Sequence, residues 1–445
     1  MGTEVVRIGS GQGAFGESPE LMRSGLDAKV DYLVCDSLAE TTSAFFALDQ
    51  RDDEAQGFAP DLEARLTLAL PYVAANGTRF ITNAGCHNPI RAHQVAMAAA
   101  REAGAKGLRI AAVFDDGRSG SGGVPEARGP GVFCTQVYLG AAGIVKALTQ
   151  GADVVITGRV ADAALFLAPC VYEFGWNWED WDRLAAGAVV GHVLECAAQA
   201  TGGNYSGDWW NTVDLGRTGL PIAEVESNGR VVITKPAGSG GRVSFDTVRE
   251  QLLYEVHDPS SYVTPDVIVD LTTARLADDG ADRVEIKGTR GRRRPEHLRG
   301  LTFASSGWAS EAVLTYAWPD AAAKGRHVTD AFILLAAERG LAVEEWHQEQ
   351  FGVSGFGGPV LAAEDCPADP PEVTTRLAWR TRERATAVDI ERLVGLAALS
   401  GPPGLQGIGR RARGGSRVAE LVDIQPFLVA RNEIESRVRV LVEEV

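Results

Sequence analysis

The sequence predicts an α/β fold, in which a parallel sheet is flanked by helices in a Rossmann-like manner and is followed by a mixed α+β domain. In the first half of the 445-residue chain, short apolar runs alternate with helical patterns at intervals of about 25 to 40 residues. Past residue 207 this alternation stops. We therefore expect an α/β domain over residues 1–206, an α+β domain over residues 207–445, and a site at the interface between them.

Composition and charge exclude several classes of protein. Acidic residues outnumber basic ones by 59 to 43, which gives a formal net charge of −16, whereas nucleic-acid binding needs clustered Lys and Arg. The chain has no apolar run of about 18 residues for a membrane span, and it enters a strand pattern without a signal peptide. We expect a cytoplasmic homo-oligomer without nucleic-acid or membrane partners.

The cysteines and histidines do not predict a metal site. The six cysteines are scattered and none forms a C-x-x-C pair, so reduced thiols are expected rather than disulfides or a zinc site. No H-x-x-x-H or H-E-x-x-H pattern occurs. Cys196 is a conceivable nucleophile, but no His/Asn partner can be assigned to it, and a buried small hydrophobe is the favoured interpretation.

The first strand is expected over residues 4–8, directly before a glycine-rich loop. Glycine lets the backbone approach a ligand closely, so Gly9, Gly11 and Gly13 are candidate binding positions. A G-x-G-x-x-G spacing fits from Gly11, but the next helix begins too late for the third glycine to pack against it. A nicotinamide or flavin nucleotide is therefore an alternative only, and no cofactor is identified.

Polar side chains follow the ends of the next strands, and in a parallel sheet those ends share the edge at which ligands bind. We take Asn83 as a candidate for substrate binding and His87 as a candidate base. Loops are polar in any protein, so ordinary solvation is the alternative. The expected strands are residues 31–35, 79–82, 109–114 and 154–157, and the expected helices are residues 60–76, 92–104 and 132–150.

The stretch over residues 153–205 carries the strongest indications of a site. A buried strand passes through a glycine turn into a helix start, which puts Arg159 and Asp162 beside N–H groups that attract anions. Glu195 lies among apolar neighbours on the next helix. A buried carboxylate there has either a partner or a raised pKa, and a structural role is as consistent with this as a catalytic one.

The helix that carries Glu195 ends in a second glycine turn, formed by Gly202, Gly203 and Asn204. Two adjacent glycines allow positive φ angles or a close approach of the backbone to a ligand. We expect this turn and the turn at Arg159 to contribute to one site. The alternative is that both turns are ordinary helix caps.

The second half of the chain begins with a hairpin over residues 222–234, which ends at Lys235. The N–H groups of Gly238, Gly240 and Gly241 are a candidate anion site next to that lysine, with an exposed strand-end lysine as the alternative. Further strands are expected at residues 266–270, 283–287, 301–305, 312–316, 373–381, 417–427 and 437–442, and helices at residues 245–256, 330–340 and 388–399.

Six segments carry a resemblance to a known family: IGSGQGAFGES at residues 8–18, VDYLVCDSLAE at 30–40, ITGRVADAALFLAP at 156–169, HVLECAAQATGGNY at 192–205, KPAGSGGRVSFDTVREQLLYEVHDPSSYVTPDVIVD at 235–270 and GPPGLQG at 401–407. They resemble the acyclic terpene utilisation AtuA family along nearly the whole chain. Members often carry an extra small C-terminal domain. The resemblance therefore implies a separate small protein of that type as a possible partner.

The resemblance implies chemistry on branched acids carried as coenzyme A (CoA) thioesters, in the manner of a lyase or hydro-lyase. One such reaction removes acetate from a 3-hydroxy-3-branched glutaryl-CoA. It needs an acid/base pair and donors for an enolate oxygen, and Asp162, Glu195 and Lys235 are the titratable candidates inside the resembling segments. A non-catalytic acyl-CoA-binding or carboxylase-accessory protein is the first alternative, and a nucleotide-cofactor enzyme is the second.

Overall fold

The fold comes from a computed structural model, which describes residues 5–117, 129–212, 216–353, 369–409 and 417–445. The chain divides into two compact units, one of Met1–Phe303 with Ile424–Val445 and one of Ala304–Asp423. Within the described ranges, no helix combines the length and the apolar character needed to cross a membrane.

The described strands are numbered in chain order. They are β1 (Val5–Gln12), β2 (Tyr32–Cys35), β3 (Arg79–Cys86), β4 (Arg109–Asp115), β5 (Val132–Val137), β6 (Val154–Gly158), β7 (Ile222–Glu226), β8 (Val231–Thr234), β9 (Tyr262–Val263), β10 (Ile268–Asp270), β11 (Arg275–Asp278), β12 (Val284–Lys287), β13 (Arg290–Arg292), β14 (His297–Ala317), β15 (Glu345–Phe351), β16 (Glu372–Thr381), β17 (Leu405–Ile408), β18 (Ala419–Ala430) and β19 (Val438–Glu444).

The described α-helices are numbered in the same way. They are α1 (Arg23–Asp27), α2 (Glu40–Asp52), α3 (Leu62–Asn76), α4 (Pro89–Glu102), α5 (Ala142–Thr149), α6 (Asp162–Phe174), α7 (Trp181–Leu194), α8 (Phe245–Leu253), α9 (Ala321–Glu338), α10 (Arg384–Leu393), α11 (Ala397–Ser400) and α12 (Arg431–Glu435).

The first unit is organised around a ten-stranded sheet in the order β11-β12-β8-β7-β1-β2-β3-β6-β4-β19. The strands from β1 to β4 in this order pair in parallel, whereas β7 and β19 pair antiparallel on either side of them. Every residue of β2 and β6 is buried, as expected when helices cover both faces of a parallel sheet. The predicted parallel strands are therefore present, within a sheet that is mixed.

Apolar cores lie against both faces of this sheet. Neighbouring residues of one strand point to opposite faces, so Val34 and Val155 join the core with α5, α6 and α7. Leu33 and Ile156 join the other core, which includes residues of α3 and α4. The burial of both faces explains why these strands are continuous apolar runs.

The connections of β3 and β6, which are neighbours in the sheet, leave toward opposite faces. The chain passes from β3 into α4, which packs in one core, and from β6 into α6, which packs in the other. A crevice opens at the carboxyl ends of strands where the connections diverge in this way, and it is the usual ligand position in such sheets. The fold thus directs attention to the residues that follow β3 and β6.

The boundary predicted between residues 206 and 207 lies inside the first unit. Strands β7 and β8 come after that position, yet β7 pairs with β1 and β8 pairs with β7 in the ten-stranded sheet. The alternating pattern in the sequence marks only strands joined by helical crossovers. It gives no signal for later strands that extend the same sheet by antiparallel pairing.

The helix predicted over residues 132–150 is wrong in its first half. Val132–Val137 is strand β5, which pairs with β14, and α5 covers only Ala142–Thr149. The first segment contains β-branched Val132, Thr135 and Val137, whose side chains favour extended backbone. That local preference determines the structure at this position.

The second unit contains an antiparallel sheet in the order β15-β16-β14-β17. The β14 residues in this pairing are Trp308–Ala317. Its core contains Leu314 and Trp379 from the sheet and Phe332 and Ile390 from α9 and α10. In the described residues of this unit, strands and helices are mixed, and β14 to β17 pair antiparallel.

Candidate active site

A cavity of about 520 Å³ lies in the first unit, beside the carboxyl end of β6. Residues of the turn from β6 to α6 and of the last turn of α7 form part of its wall. The charged and aromatic polar residues that line it are Glu40, Tyr138, Arg159, Asp162, His192, Glu195, Glu255, Tyr262, Glu296, His297 and Arg299.

Arg159 follows β6 and is the main buried cation of the cavity wall, with 5% of its surface exposed. Its Nη1 donates to the carbonyl of Leu38 at 2.9 Å, and its guanidinium lies 4.1 Å from the ring centre of Tyr138. Its Nη2 lies 3.3 Å from Oδ1 of Asp162. The Nε atom is buried without a hydrogen-bond partner, so the guanidinium keeps one unused donor.

Asp162 is the first residue of α6 and has an abnormal ionisation. Burial raises the pKa of its carboxyl well above the usual range; Arg159 opposes this, and the negative charges of Asp36 and Glu195 add to it. The Oδ1 atom is buried, although 30% of the side chain as a whole is exposed. Asp162 is therefore placed to donate a proton into the cavity.

Asp36 lies behind this wall, just after β2, and is fully covered by protein. Its Oδ1 accepts from Nδ2 of Asn83 at 2.6 Å and from the N–H of Leu38 at 3.1 Å. Burial raises the pKa of Asp36 to about 6, against the lowering effects of Arg159 and Asn83. Asn83 also accepts from the N–H of Ser37. It thus holds Asp36 in place and does not line the cavity.

Glu195 and His192 form a buried pair at the end of α7. Nδ1 of His192 lies 3.0 Å from Oε1 of Glu195, and Nε2 lies 3.3 Å from the carbonyl of Leu252. Both acceptors need a proton from the ring, which favours imidazolium. Burial lowers the pKa of His192, but Glu195 and Leu252 raise it by more, so the net shift is upward. The hydrogen-bonded pair faces the cavity, with both ring nitrogens of His192 placed next to acceptors.

Lys235 does not line this cavity. Its Nζ lies 3.2 Å from Oδ2 of Asp282 and donates to the carbonyl of Ser239 at 2.7 Å, and only 6% of its side chain is exposed. The structure thus brings Asp162 and Glu195 to one cavity and leaves Lys235 out of it.

The glycine loop after Lys235 is held by the protein backbone. The N–H of Gly240 donates to the carbonyl of Arg217 at 2.7 Å, so this group is not free to bind an anion. Gly238 and Gly241 have positive φ angles of 76° and 81°. A Cβ at Gly241 would lie 2.6 Å from the carbonyl oxygen of Thr201, so this glycine is needed for close packing.

The first glycine-rich segment, with Gly9, Gly11 and Gly13, packs against protein backbone and side chains near the site. Gly9 and Gly11 are residues of β1, and a Cβ at Gly11 would meet the sulfur of Cys35 at 2.7 Å. A Cβ at Gly13 would lie 2.7 Å from the backbone oxygen of Glu195. The N–H of Gly13 donates to Oε2 of Glu17 at 2.8 Å. Gly13 thus permits close packing against the segment that carries Glu195.

The turn of Gly202, Gly203 and Asn204 ends a short 3₁₀ helix after α7. Gly202 and Asn204 have φ angles of 100° and 54°. A Cβ at Gly202 would meet the side chain of Thr212 at 3.1 Å, and a Cβ at Gly203 would meet the carbonyl of Ala198 at 3.0 Å. None of the three lines the cavity, so they are placed as a tight cap.

Three important residues of the wall, His192, Tyr138 and Tyr262, did not emerge from the sequence. Tyr138 donates to Glu40 at 2.7 Å, and the Tyr262 ring lies 4.8 Å from that of His192. His192 precedes Glu195 by three residues, which on a helix places them on one face. This spacing was the available signal. The two tyrosines lie in segments whose positions depend on the tertiary fold.

Metal binding has no support in the described part of the chain, where no group of three or more His, Cys, Asp and Glu side chains could hold an ion. The titratable side chains that line this cavity are carboxylates, imidazoles, phenols and guanidinium groups. Such a set supplies proton transfer and anion binding.

Comparison with known proteins gives one family match. The family model described as "Acyclic terpene utilisation family protein AtuA" matches residues 6–440, which is nearly the whole chain. No curated protein and no solved structure matches the chain.

Proposed function

The chain belongs to the acyclic terpene utilisation family AtuA, and from this premise we propose that it is an enzyme with lyase or hydro-lyase activity on a branched acyl thioester, with CoA as the thiol carrier. The observation that carries the proposal is the pairing of a proton donor and a carboxylate on one cavity. Asp162 is an acid with a raised pKa, and the Glu195 side chain lines the same cavity, where its hydrogen bond with His192 holds it in place.

The proposed reaction is cleavage of a 3-hydroxy-3-branched glutaryl thioester. Glu195 takes the proton of the tertiary hydroxyl, and the C3–C4 bond, on the free-carboxylate side, breaks. Its electron pair moves to the departing two-carbon unit as an enediolate, and Asp162 protonates that carbon. The products are acetate and a 3-oxoacyl thioester, and all atoms and charges are conserved. General acid–base catalysis of this kind contributes about 10²–10⁴-fold.

Arg159 supplies the charge that such an intermediate requires. Its buried guanidinium lies beside Asp162, and its Nε donor is unused. An enediolate is more negative near the carbon than the starting carboxylate, so a fixed cation stabilises the transition state more than the substrate. Arg299, on the same cavity, is a second cation for the substrate carboxylate.

The test is turnover of 3-hydroxy-3-methylglutaryl-CoA, the simplest branched member of the substrate class, with acetate and 3-oxoacyl-CoA measured as products. We expect acetate release by the natural protein and its loss in Glu195→Gln. Asp246→Asn is the matched control, since Asp246 is half-exposed and lies outside the cavity. The assay is repeated with thioesters of increasing branch length. If acyl-CoA raises the melting temperature but none of these thioesters is turned over, a binding or accessory role is favoured instead.

A further inference from the structure

A second, smaller cavity of about 120 Å³ lies at the crevice where the connections of β3 and β6 diverge. Its wall includes Cys86 and His87, which end and follow β3, and Gly158 and Arg159, which end and follow β6. Gln136 of β5 completes this part of the wall. The acid/base chemistry proposed above uses none of the thiols here.

An imidazole connects two thiols beside this cavity. Nε2 of His87 lies 2.9 Å from the carbonyl of Ser43, which fixes the ring and requires a proton on Nε2. Nδ1 lies 3.3 Å from Sγ of Cys134, and the ring also interacts with the thiol of Cys86. Of the two thiols, Cys86 lines the cavity and Cys134 does not.

The backbone at Cys86 is strained. Cys86 has a φ angle of +40°, in the left-handed region that is unfavourable for an ordinary L-residue. Gly85 before it packs so closely that a Cβ would lie 2.6 Å from the carbonyl oxygen of Thr157. Helix α4 begins three residues later, at Pro89. A strained residue between a strand and a helix presents its side chain at the sheet edge, as catalytic nucleophiles often require.

The surroundings favour the thiolate of Cys86. Burial raises the pKa of this thiol, but the positive His87 ring and the hydrogen bonds of His87, Gln136 and Ser43 together lower it by more, and the net shift is downward. Nε2 of Gln136 donates to Sγ of Cys86 at 3.5 Å and adds to the lowering. The pKa of His87 is raised well above its usual value, because the thiols outweigh the effect of burial. Only the thiolate form of cysteine is strongly nucleophilic.

The cavity also holds polar atoms without partners. Oε1 of Gln136 and Nε of Arg159 are both buried and make no hydrogen bond, although both side chains are more than nine-tenths buried. Ile90, in the first turn of α4, also lines the cavity, and a first-turn N–H has no partner within its own helix; the next N–H, of Arg91, donates to the side chain of Asn88 at 3.3 Å. Buried polar atoms are normally paired, so these groups point to a bound polar ligand such as a carbonyl oxygen.

We propose that Cys86 is a nucleophile that accepts a small acyl group from a thioester, with His87 as its proton carrier. The sulfur of Cys86 forms a bond to the thioester carbonyl carbon, and the resulting oxyanion collapses with loss of the original thiolate. That leaving thiolate takes the proton held by His87. The products are an acyl-Cys86 thioester and a free thiol, and the reverse step returns the acyl group to an incoming thiol.

The chemistry of the site favours this class of substrate. Exchange between thioesters keeps the bond type, so it needs neither an oxidant nor a strongly activated leaving group. The enclosed volume, about 120 Å³, has room for a short acyl chain but not for a polypeptide. The inference goes beyond the lyase activity and does not depend on it, because Cys86 and His87 take no part in acetate release; Arg159 lines both cavities.

The test is incubation of the purified protein with S-acetyl-N-acetylcysteamine, followed by intact mass measurement and peptide mapping. We expect one added acetyl group on Cys86 that neutral hydroxylamine removes, as it does thioesters. His87→Gln should slow the acylation about 10²-fold or more. Cys170→Ala is the control, since Cys170 is a buried thiol on α6 without an imidazole partner, and it should leave the rate unchanged.

Two substitutions at position 86 separate loss of the thiol from loss of the fold. Cys86→Ala and Cys86→Gly should both abolish the adduct, and the glycine variant should fold because glycine adopts a φ of +40° without strain. The proposal is overturned if the acetyl group is found on Cys134 or elsewhere. It is also overturned if iodoacetamide alkylates Cys86 while the thioester leaves it unmodified, or if a Cys86–Cys134 disulfide forms instead.

Discussion

At the scale of single residues, Asp162 makes the clearest prediction. Its carboxyl has a strongly raised pKa. An asparagine amide has the same shape and is also neutral, but it cannot donate an acidic proton. We expect Asp162→Asn to lower turnover of the branched thioester by about 10²–10⁴-fold while the melting temperature stays within a few degrees. Steady-state kinetics and calorimetry measure the two effects. An equal loss of stability and activity would indicate a structural role.

The raised pKa of His192 predicts that the free energy of unfolding depends on pH. His192→Gln leaves Glu195 buried without its cation, which costs roughly 3 kcal/mol. Because the folded-state pKa of His192 is raised, its contribution is complete below the unfolded pKa, about 6.5, and is lost as pH rises through the folded value. The difference between natural and variant proteins in urea unfolding should therefore shrink from pH 6 to pH 9. A difference that grows over this range would contradict the pairing.

Asp36 affects stability in the same direction as His192, but at lower pH. Its pKa of about 6 exceeds that of an unfolded aspartate, about 3.9, so the unfolded state loses its proton first as pH rises. Stability is therefore lost through this group between about pH 4 and pH 6. Asp36→Asn should lose less stability over that interval than the natural protein in denaturant titrations. Parallel curves for the two proteins would show that Asp36 ionises normally.

At the scale of helices and strands, the contact of α6 with α7 determines where the acid and the carboxylate meet. A Cβ at Gly191 of α7 would lie 2.4 Å from Cα of Ala163 of α6, next to Asp162. Gly191→Ala should separate the helices, destabilise the fold by about 1–3 kcal/mol and reduce turnover. Gly407→Ala is the control, since a Cβ there meets nothing within 4 Å. Equal stability of both variants would refute the close contact.

The packing of α6 on α7 also shows how much of the candidate site could be predicted from the sequence. Buried β-branched runs and glycine turns identified β6 and the start of α6, and so indicated Arg159 and Asp162, both of which line the larger cavity. Glu195 was identified from a lone acid in an apolar helix. Its partner His192 required the helical spacing, and the packing of α6 on α7 required the tertiary fold. Lys235 could act as an acid, a base or an anion ligand, but it does not line the larger cavity. Its position next to a glycine loop in the sequence does not determine whether it lies at the edge of the sheet.

At the scale of the whole molecule, the sheet places two different chemistries along one edge. The larger cavity is lined by carboxylates, His192 and His297, and the smaller one by Cys86 and His87. Arg159 lines both, because it directly follows β6, the strand next to β3. The alternation of strands and helices in the sequence marks the parallel strands, and so it predicted this edge. It does not mark the antiparallel strands that extend the sheet, and so it did not predict how wide the sheet is.

The net charge of −16 predicts how a charged substrate reaches this edge. A carboxylated acyl-CoA is itself an anion, so the field of the molecule opposes its approach, and added salt screens that field over about 8 Å at 0.15 M. We therefore expect kcat/KM to rise by a factor of a few, up to about tenfold, as ionic strength increases from 0.01 M to 0.15 M. Neutral S-acetyl-N-acetylcysteamine should acylate Cys86 at a rate that salt leaves unchanged. A fall of kcat/KM with salt would mean that Arg159 and Arg299 dominate the field at the cavity mouth, and that the surface charge of the molecule as a whole does not govern substrate capture.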